Sequence, residues 1–306
     1  DRAEGILKCW LRDEGELEPL KKAKEWLENL VNLHLLQEAK EPDEIEFHHQ
    51  LFQEYYAGRA LLKLLVERHD DAIDDERLQH FYLNYFKWTE PLAFMLSLLG
   101  DEVQAVRVVR LALDVDLMLG ARLAGEVQRE FQQRAVGLVD GLDVPGWLKV
   151  GLLGEVRSDY AILGLLKFVE HSDYDVRWRA ADVLGKISSK AAIPGLIELV
   201  EHPNSDVRRR VADALGKIGY EEVIPGLLQL VEDPDLYVRK IVANALGKID
   251  SEAVITGLLK LVQDSNYDVR KSAAIALGEI GCEDVIPELL KLVEDSADCN
   301  MRWRAV

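Results

Sequence analysis

Basic residues are the scarce charge in this 306-residue chain: 37 Lys and Arg stand against 55 Asp and Glu, a formal net charge of −18. A nucleic-acid binder needs clustered cations that displace counterions from phosphates, and an anionic membrane surface asks for the same, so both partners are set aside. Cysteine is scarce as well. Cys9, Cys282 and Cys299 are scattered and odd in number, giving neither a disulfide framework nor zinc spacing, and a reducing cytoplasmic compartment is the default. Long apolar runs are missing: Pro91–Gly100 is among the longest, about half of the roughly 20 residues that span a bilayer. Nine Pro and 21 Gly are too few for a linker-rich chain.

Catalytic motifs are missing too. The sequence contains no His-Glu-x-x-His, no Gly-x-Ser-x-Gly, no nucleotide-binding Gly-x-Gly-x-x-Gly and no Gly-x-x-x-x-Gly-Lys-Ser/Thr. No catalytic, metal or cofactor site is therefore expected within the chain. His48 and His49 are adjacent and point to different sides of a helix, which makes a poor chelate. The acids of His69-Asp70-Asp71 and Asp74-Asp75-Glu76 lack calcium-loop spacing and read as a solvated loop. What is present, 48% hydrophobic and 30% charged residues, is the composition of a folded protein of about two domains. The sequence starts at Asp1 and stops at Val306 inside helical patterns, so a piece of a larger protein is expected.

A repeat organises the C-terminal half. Arg177, Arg208, Arg239 and Arg270 each follow Val at a step of 31, and Arg302 follows Met301 after 32. Gly185, Gly216, Gly247 and Gly278 each follow Leu at the same step, and Pro194, Pro225 and Pro287 keep it with Thr256 between them. Each copy reads as two helices. In residues 206–218 the apolar set Val207, Val211, Ala212, Leu215 and Ile218 has helical spacing, with Asp206 as an N-cap and Gly219 at the end. Ile224, Leu227, Leu228 and Val231 form the second stripe, with Pro225 tolerated in its first turn. Such pairs bury their stripes only by stacking on their neighbours, which makes an α-solenoid.

The string Asp175-Val176-Arg177, Ala180-Ala181, Leu184-Gly185-Lys186-Ile187, Ile193-Pro194-Gly195-Leu196 resembles the short HEAT-like repeat found in phycobilisome lyases. The resemblance covers about 144–306, some five repeats with the last truncated. The recurrence of Asp175 with Arg177, Asp206 with Arg208 and Asp268 with Arg270, with Arg239 in the same column, predicts a structural Asp–Arg ladder between repeats. The solvent side of the second helices, Glu198, Gln229, Lys260 and Lys291, is the candidate partner surface on the concave face. Gly195, Gly226 and Gly257 are expected to let a partner approach closely. Trp178 and Trp303 share one repeat position as candidate anchors. An uncapped last repeat is expected to pair end to end or fray.

Residues 1–143 carry 17 basic and 29 acidic side chains, net −12, so most of the excess charge lies there. The pattern predicts a helix over 18–33, extended runs at 33–37 and 44–48 joined as a β-hairpin, and a helix from about 48 to 67. Phe47-His48-His49-Gln50-Leu51-Phe52-Gln53-Glu54-Tyr55-Tyr56-Ala57-Gly58 resembles the Phe-x-His-x-x-x-Gln-Glu-Tyr-x-Ala stretch of NACHT-type STAND NTPases. In that family the stretch joins a winged helix to a helical domain, and the stretch to about 143 is similar to NACHT–HEAT proteins of cyanobacteria. The resemblance implies an upstream nucleotide-binding domain with ATP or ADP in a parent protein, where His49 would contact the ADP phosphate, and a role in bacterial defence. The organisation that follows is an all-α chain: 1–47 the end of a winged-helix-like domain, 48–143 a helical linking domain, 144–306 the solenoid. Its expected function is a non-catalytic sensing and protein-interaction segment of a signalling ATPase. A bilin lyase or bilin-binding chaperone and a stand-alone HEAT scaffold are the alternatives.

Overall fold

The computed structural model describes Lys8, Arg12 and residues 17–32, 36–38, 45–47, 49–66, 73–249 and 251–281. Lys291, Trp303, the three cysteines and the truncated last repeat lie outside the described residues. The chain forms two compact units, residues 1–119 with 126–128, and residues 120–125 with 129–306. Within the second unit, Gln132 donates to the Gly125 carbonyl at 2.8 Å, and Ser158 Oγ donates to Gln132 at 2.7 Å.

In the first unit, helix α1 (Pro19–Asn32) precedes two three-residue strands, β1 (Leu36–Glu38) and β2 (Ile45–Phe47), paired antiparallel with Leu36 opposite Phe47. Every other described element is helical. Helix α2 (Gln50–Val66) packs on α4 (Thr89–Leu98). Gly58 permits the approach, since a Cβ there would lie 2.6 Å from the Pro91 carbonyl, and Leu61, Leu92, Met95 and Leu96 close the contact. Between them α3 (Asp75–Leu78) runs into a π turn at Gln79–Leu83. The acids read as a solvated loop have structural partners here: Asp74 caps α3 through the Arg77 N–H at 2.7 Å, and Asp75 accepts from Arg107 of α5 (Glu102–Val115) at 2.6 Å.

The second unit begins with the end of α6 (Leu117–Glu126), α7 (Arg129–Asp140) and α8 (Gly146–Val156). Repeats follow as long first helices, α10 (Tyr174–Ile187), α12 (Ser205–Ile218), α14 (Leu236–Leu246) and α16 (Tyr267–Ile280). They alternate with short second helices, α9 (Ile162–Val169), α11 (Ile193–Glu198), α13 (Ile224–Gln229) and α15 (Ile255–Val262). Asp173, Asn204, Asp235 and Asn266 cap the first helices by accepting N–H groups of the opening turn. The expected cap at Asp206 is thus corrected to Asn204, whose side-chain oxygen accepts the Asp206 N–H at 2.8 Å. A 3₁₀ turn leads into each second helix, and Ser158, Ser189 and Ser251 hold three of these turns through their hydroxyls. Leu184, Leu196, Val211, Leu215, Leu227, Val242, Leu246 and Leu258 are fully buried, each such side chain contributing about 1.5–3 kcal/mol.

The glycine column has a packing role. A Cβ on Gly216 would lie 2.5 Å from the Ala245 Cβ, and one on Gly247 2.5 Å from the Ala276 Cβ. Consecutive first helices therefore touch backbone to side chain at these positions.

Candidate functional site

The arginines of the repeat column are anchored first to their own turns. Nη1 of Arg177 donates to the carbonyls of His171 and Ser172, and Arg208, Arg239 and Arg270 repeat the pattern on residues six and five positions before them. The other edge of the guanidinium faces the next repeat. Arg208 donates from Nε and Nη2 to Asp233 at 2.6 and 2.9 Å, and Arg239 to Asp264 at 2.5 and 3.0 Å. These are bidentate, charge-assisted pairs, and they are buried: the Asp233 side chain is 3% exposed. Each carboxylate also accepts the N–H two residues on, from Asp235 and Asn266 respectively, which offsets part of its desolvation.

The closest rung acids are not the expected ones. Of Asp175, Asp206 and Asp268, Asp206 alone reaches an arginine of the column across the repeat boundary among the described residues, as one long ion pair to Arg177. Of the three, Asp206 comes nearest, 3.9 Å from Arg177 Nη2, while Arg209 of its own helix holds it at 2.8 Å. The true partners stand 25 residues after the arginine, in the following inter-repeat turn. At the first rung that slot holds His202, whose Nδ1 accepts the Asn204 N–H at 3.1 Å as the aspartates do for theirs. It brings no carboxylate, and Arg177 Nε is buried without a partner.

The electrostatics follow this geometry. Hydrogen bonds to Asp233 and Asp264 raise the pKa values of Arg208 and Arg239. Burial pushes the Asp264 carboxyl up, but the Arg239 bonds and the Asn266 N–H outweigh it and hold it below the usual carboxylate range. A second inter-repeat bridge runs through Lys217, 2.8 Å from Asp182 and 2.9 Å from Asp213. Burial again raises the Asp182 pKa, and Lys217 with Lys186 reverses the shift to a net lowering.

The second-helix face carries Glu198, Gln229 and Lys260, all exposed, and Lys260 pairs with Glu232 of the preceding repeat at 3.1 Å. The glycines on that face are not open to a partner as expected. A Cβ on Gly257 would meet the Leu228 side chain at 2.5 Å and one on Gly226 the Ile197 side chain at 3.1 Å, and Gly195 is filled in the same way by Leu166. Each glycine is the hole that receives a side chain of the previous second helix. Leu166, Ile197, Leu228 and Leu259 consequently form a part-exposed apolar seam, beside an exposed row of Glu170, Glu201 and Glu232. An open cavity of about 470 Å³ is lined among others by Glu232, Arg239, Lys260 and Asp264.

Trp178 is 42% exposed on α10. His49 sits at the exposed start of α2, where Nδ1 accepts the Leu51 N–H at 3.2 Å and the ring meets Phe52 edge-on. Among the described residues no group of three or more His, Cys, Asp or Glu is placed to hold a metal ion, and no helix is long and apolar enough to cross a membrane.

Paired helices stacked through glycine contacts and inter-repeat rungs define an α-solenoid of the HEAT type. HEAT repeats match at residues 150–205, 162–240, 193–274 and 224–306, together just over half of the chain, and the chain belongs to this family. No curated protein matches its sequence. Among solved structures it is similar to YibA of Escherichia coli, at 17% identity over 88% of this chain and 97% of that one, TM-score 0.37. It is also similar to a designed armadillo repeat protein in complex with the peptide (KR)4, at 19% over 60% and 95%, TM-score 0.39. A third is the CpcE–CpcF complex of phycocyanin lyase from Nostoc sp. PCC7120, at 21% over 68% and 86%, TM-score 0.32.

Proposed function

We propose that this chain is the recognition segment of a larger NACHT-type signalling ATPase, and that its solenoid captures a protein segment on the second-helix face. The observation that carries the reading is the seam of Leu166, Ile197, Leu228 and Leu259 beside Glu170, Glu201 and Glu232. Apolar ground edged by carboxylates suits a segment that alternates apolar and basic residues. Binding there would bias a closed, ADP-bound parent toward an open, assembling state.

The Phe47–Gly58 string supports the link to that family. Its residues from Gln50 onward build the start of α2, with Gln50 donating to Glu54 at 2.7 Å, Arg59 to Tyr55 at 3.2 Å, and Tyr55 edge-on to Phe94. In the isolated chain His49 serves as a helix cap, and in the parent it is a contact for the nucleotide phosphate. The test uses the parent protein. Its reading frame should encode a P-loop upstream of Asp1. A double change, Leu228→Asp with Glu201→Lys, should abolish ligand-triggered activity while nucleotide binding persists. Absence of an upstream P-loop ends the NACHT reading, and ligand response that survives removal of the solenoid ends the recognition reading.

A further inference from the structure

Three guanidinium groups meet at the junction of α10 and α12; Asp206 serves two of them and Asp235 also interacts with Arg209, while the third, Arg210, pairs with neither. Arg209 donates to Asp206 at 2.8 Å, and Arg177 lies 3.9 Å from the same acid. Arg210 has no acid within ion-pair distance among the described residues, although it is only 9% exposed. Its Nη2 donates instead to the phenolic oxygen of Tyr174, which also accepts from Arg209 Nη2 at 3.2 Å. The guanidinium carbons of Arg210 and Arg177 lie 5.0 and 5.8 Å from the Tyr174 ring centroid. The Nε atoms of all three arginines are buried without a partner.

A neutral phenol is a poor counterpart for two guanidinium groups. Bonds from these donors to an anion are roughly twice as strong, and a buried cation without an acid is costly. The phenol stands at the surface rather than in the core: Tyr174 is 44% exposed, as is Trp178 at 42% one helical turn on. An oxygen arriving from outside can therefore displace the hydroxyl by rotation of the tyrosine side chain, and the aromatic pair offers apolar ground beside it.

We propose that Tyr174, Arg209 and Arg210, flanked by Trp178, form a docking site for an acidic protein segment, one of whose carboxylates takes the place of the Tyr174 hydroxyl. Nucleic acid fits less well. The cluster is short and bounded by Asp175 and Asp206, so it cannot follow a run of phosphates. The site is also opposite in charge preference to the glutamate-edged second-helix face, and it stands whether or not that face binds anything.

The experiment is fluorescence anisotropy of a fluorescein-labelled poly-glutamate peptide with the full chain, at low and at physiological salt. Saturable binding is expected. Tyr174→Phe removes the placeholder oxygen and should tighten binding several-fold, a gain that a merely destabilised protein would not show. Arg209→Gln with Arg210→Gln should weaken it by about tenfold or more, and Trp178→Ala by a smaller factor. Thermal melts of each variant separate unfolding from lost contact, and Arg209→Gln alone, at a half-buried position, provides a milder probe. Glu198→Lys and Gln229→Lys on the second helices should leave binding unchanged. No binding of the peptide, binding insensitive to Tyr174 and both arginines, or tighter binding of a single-stranded oligonucleotide by the same residues would each overturn the proposal.

Discussion

Arg177 and Arg208 occupy the same position of consecutive repeats, hold their own turns in the same way, and end differently. Arg208 closes on Asp233 in the next repeat, whereas the matching slot for Arg177 holds His202. The comparison separates two parts of one motif. The bonds to the preceding turn shape the repeat, and the carboxylate 25 residues on joins it to its neighbour. Where that carboxylate is absent, a surplus of guanidinium groups gathers around Tyr174. Stability and recognition thus draw on the same column of residues.

The largest effect should come from opening a closed rung. Asp233→Ala strands the Arg208 guanidinium at a site where the acid side chain was 3% exposed, and should cost about 3–5 kcal/mol, read as a lower urea midpoint. Replacing both partners by apolar residues of similar size should cost far less, and an equal loss in the double variant would show that the ion pair itself is not the cause.

Next come the glycine contacts. Gly216→Ala drives a methyl group into Ala245, an overpacking of about 1–3 kcal/mol that outweighs roughly 1 kcal/mol of better helix propensity. Gly137 on α7 has no atom within 4 Å of its added Cβ, so Gly137→Ala should gain about 0.5–1 kcal/mol. Melting curves that moved the same way for both variants would contradict the packing role of the column.

Closing the open rung should stabilise. His202→Asp retains an acceptor for the Asn204 N–H and adds the missing carboxylate for Arg177. We expect a gain of about 1–2 kcal/mol, seen as a melting point roughly 2–6 °C higher.

The smallest effect is one of pH. Asp264 and Asp182 are held below the ordinary carboxylate range by Arg239 and Lys217. Their contribution is fully present above the unfolded value of about 4 and is lost as pH falls through the lower folded values. The urea midpoint of the wild type should fall in that acid window, and that of Asp264→Asn, already lower at neutral pH, should fall less.

Much of this architecture is legible in the chain. The 31-residue columns of Arg177, Gly185 and Pro194 fix two helices per repeat, because Val207, Val211 and Leu215 can be buried only by a neighbour. The rung acids were also within reach, since Asp233 and Asp264 share that period. They are overshadowed by the recurring Asp-x-Arg pairs, which draw attention to the acid beside the next arginine rather than to the one in the inter-repeat turn. Nothing in the sequence indicates that Tyr174 lies under Arg210, since 36 residues and a helix pair separate them.

What the sequence by itself determined is therefore local and periodic: which segments of the repeats are helical and that they must stack. Those properties depend on side-chain spacing and on hydrogen bonds within a turn. What only the tertiary structure decided is how each column is spent. Gly195, Gly226 and Gly257 receive the leucine or isoleucine of the previous repeat rather than a partner, and one arginine of the ladder has no bidentate carboxylate, its Nε buried without a partner. Both depend on distances across the repeat interface, which are set by how two helix pairs nest and not by the order of residues in either one.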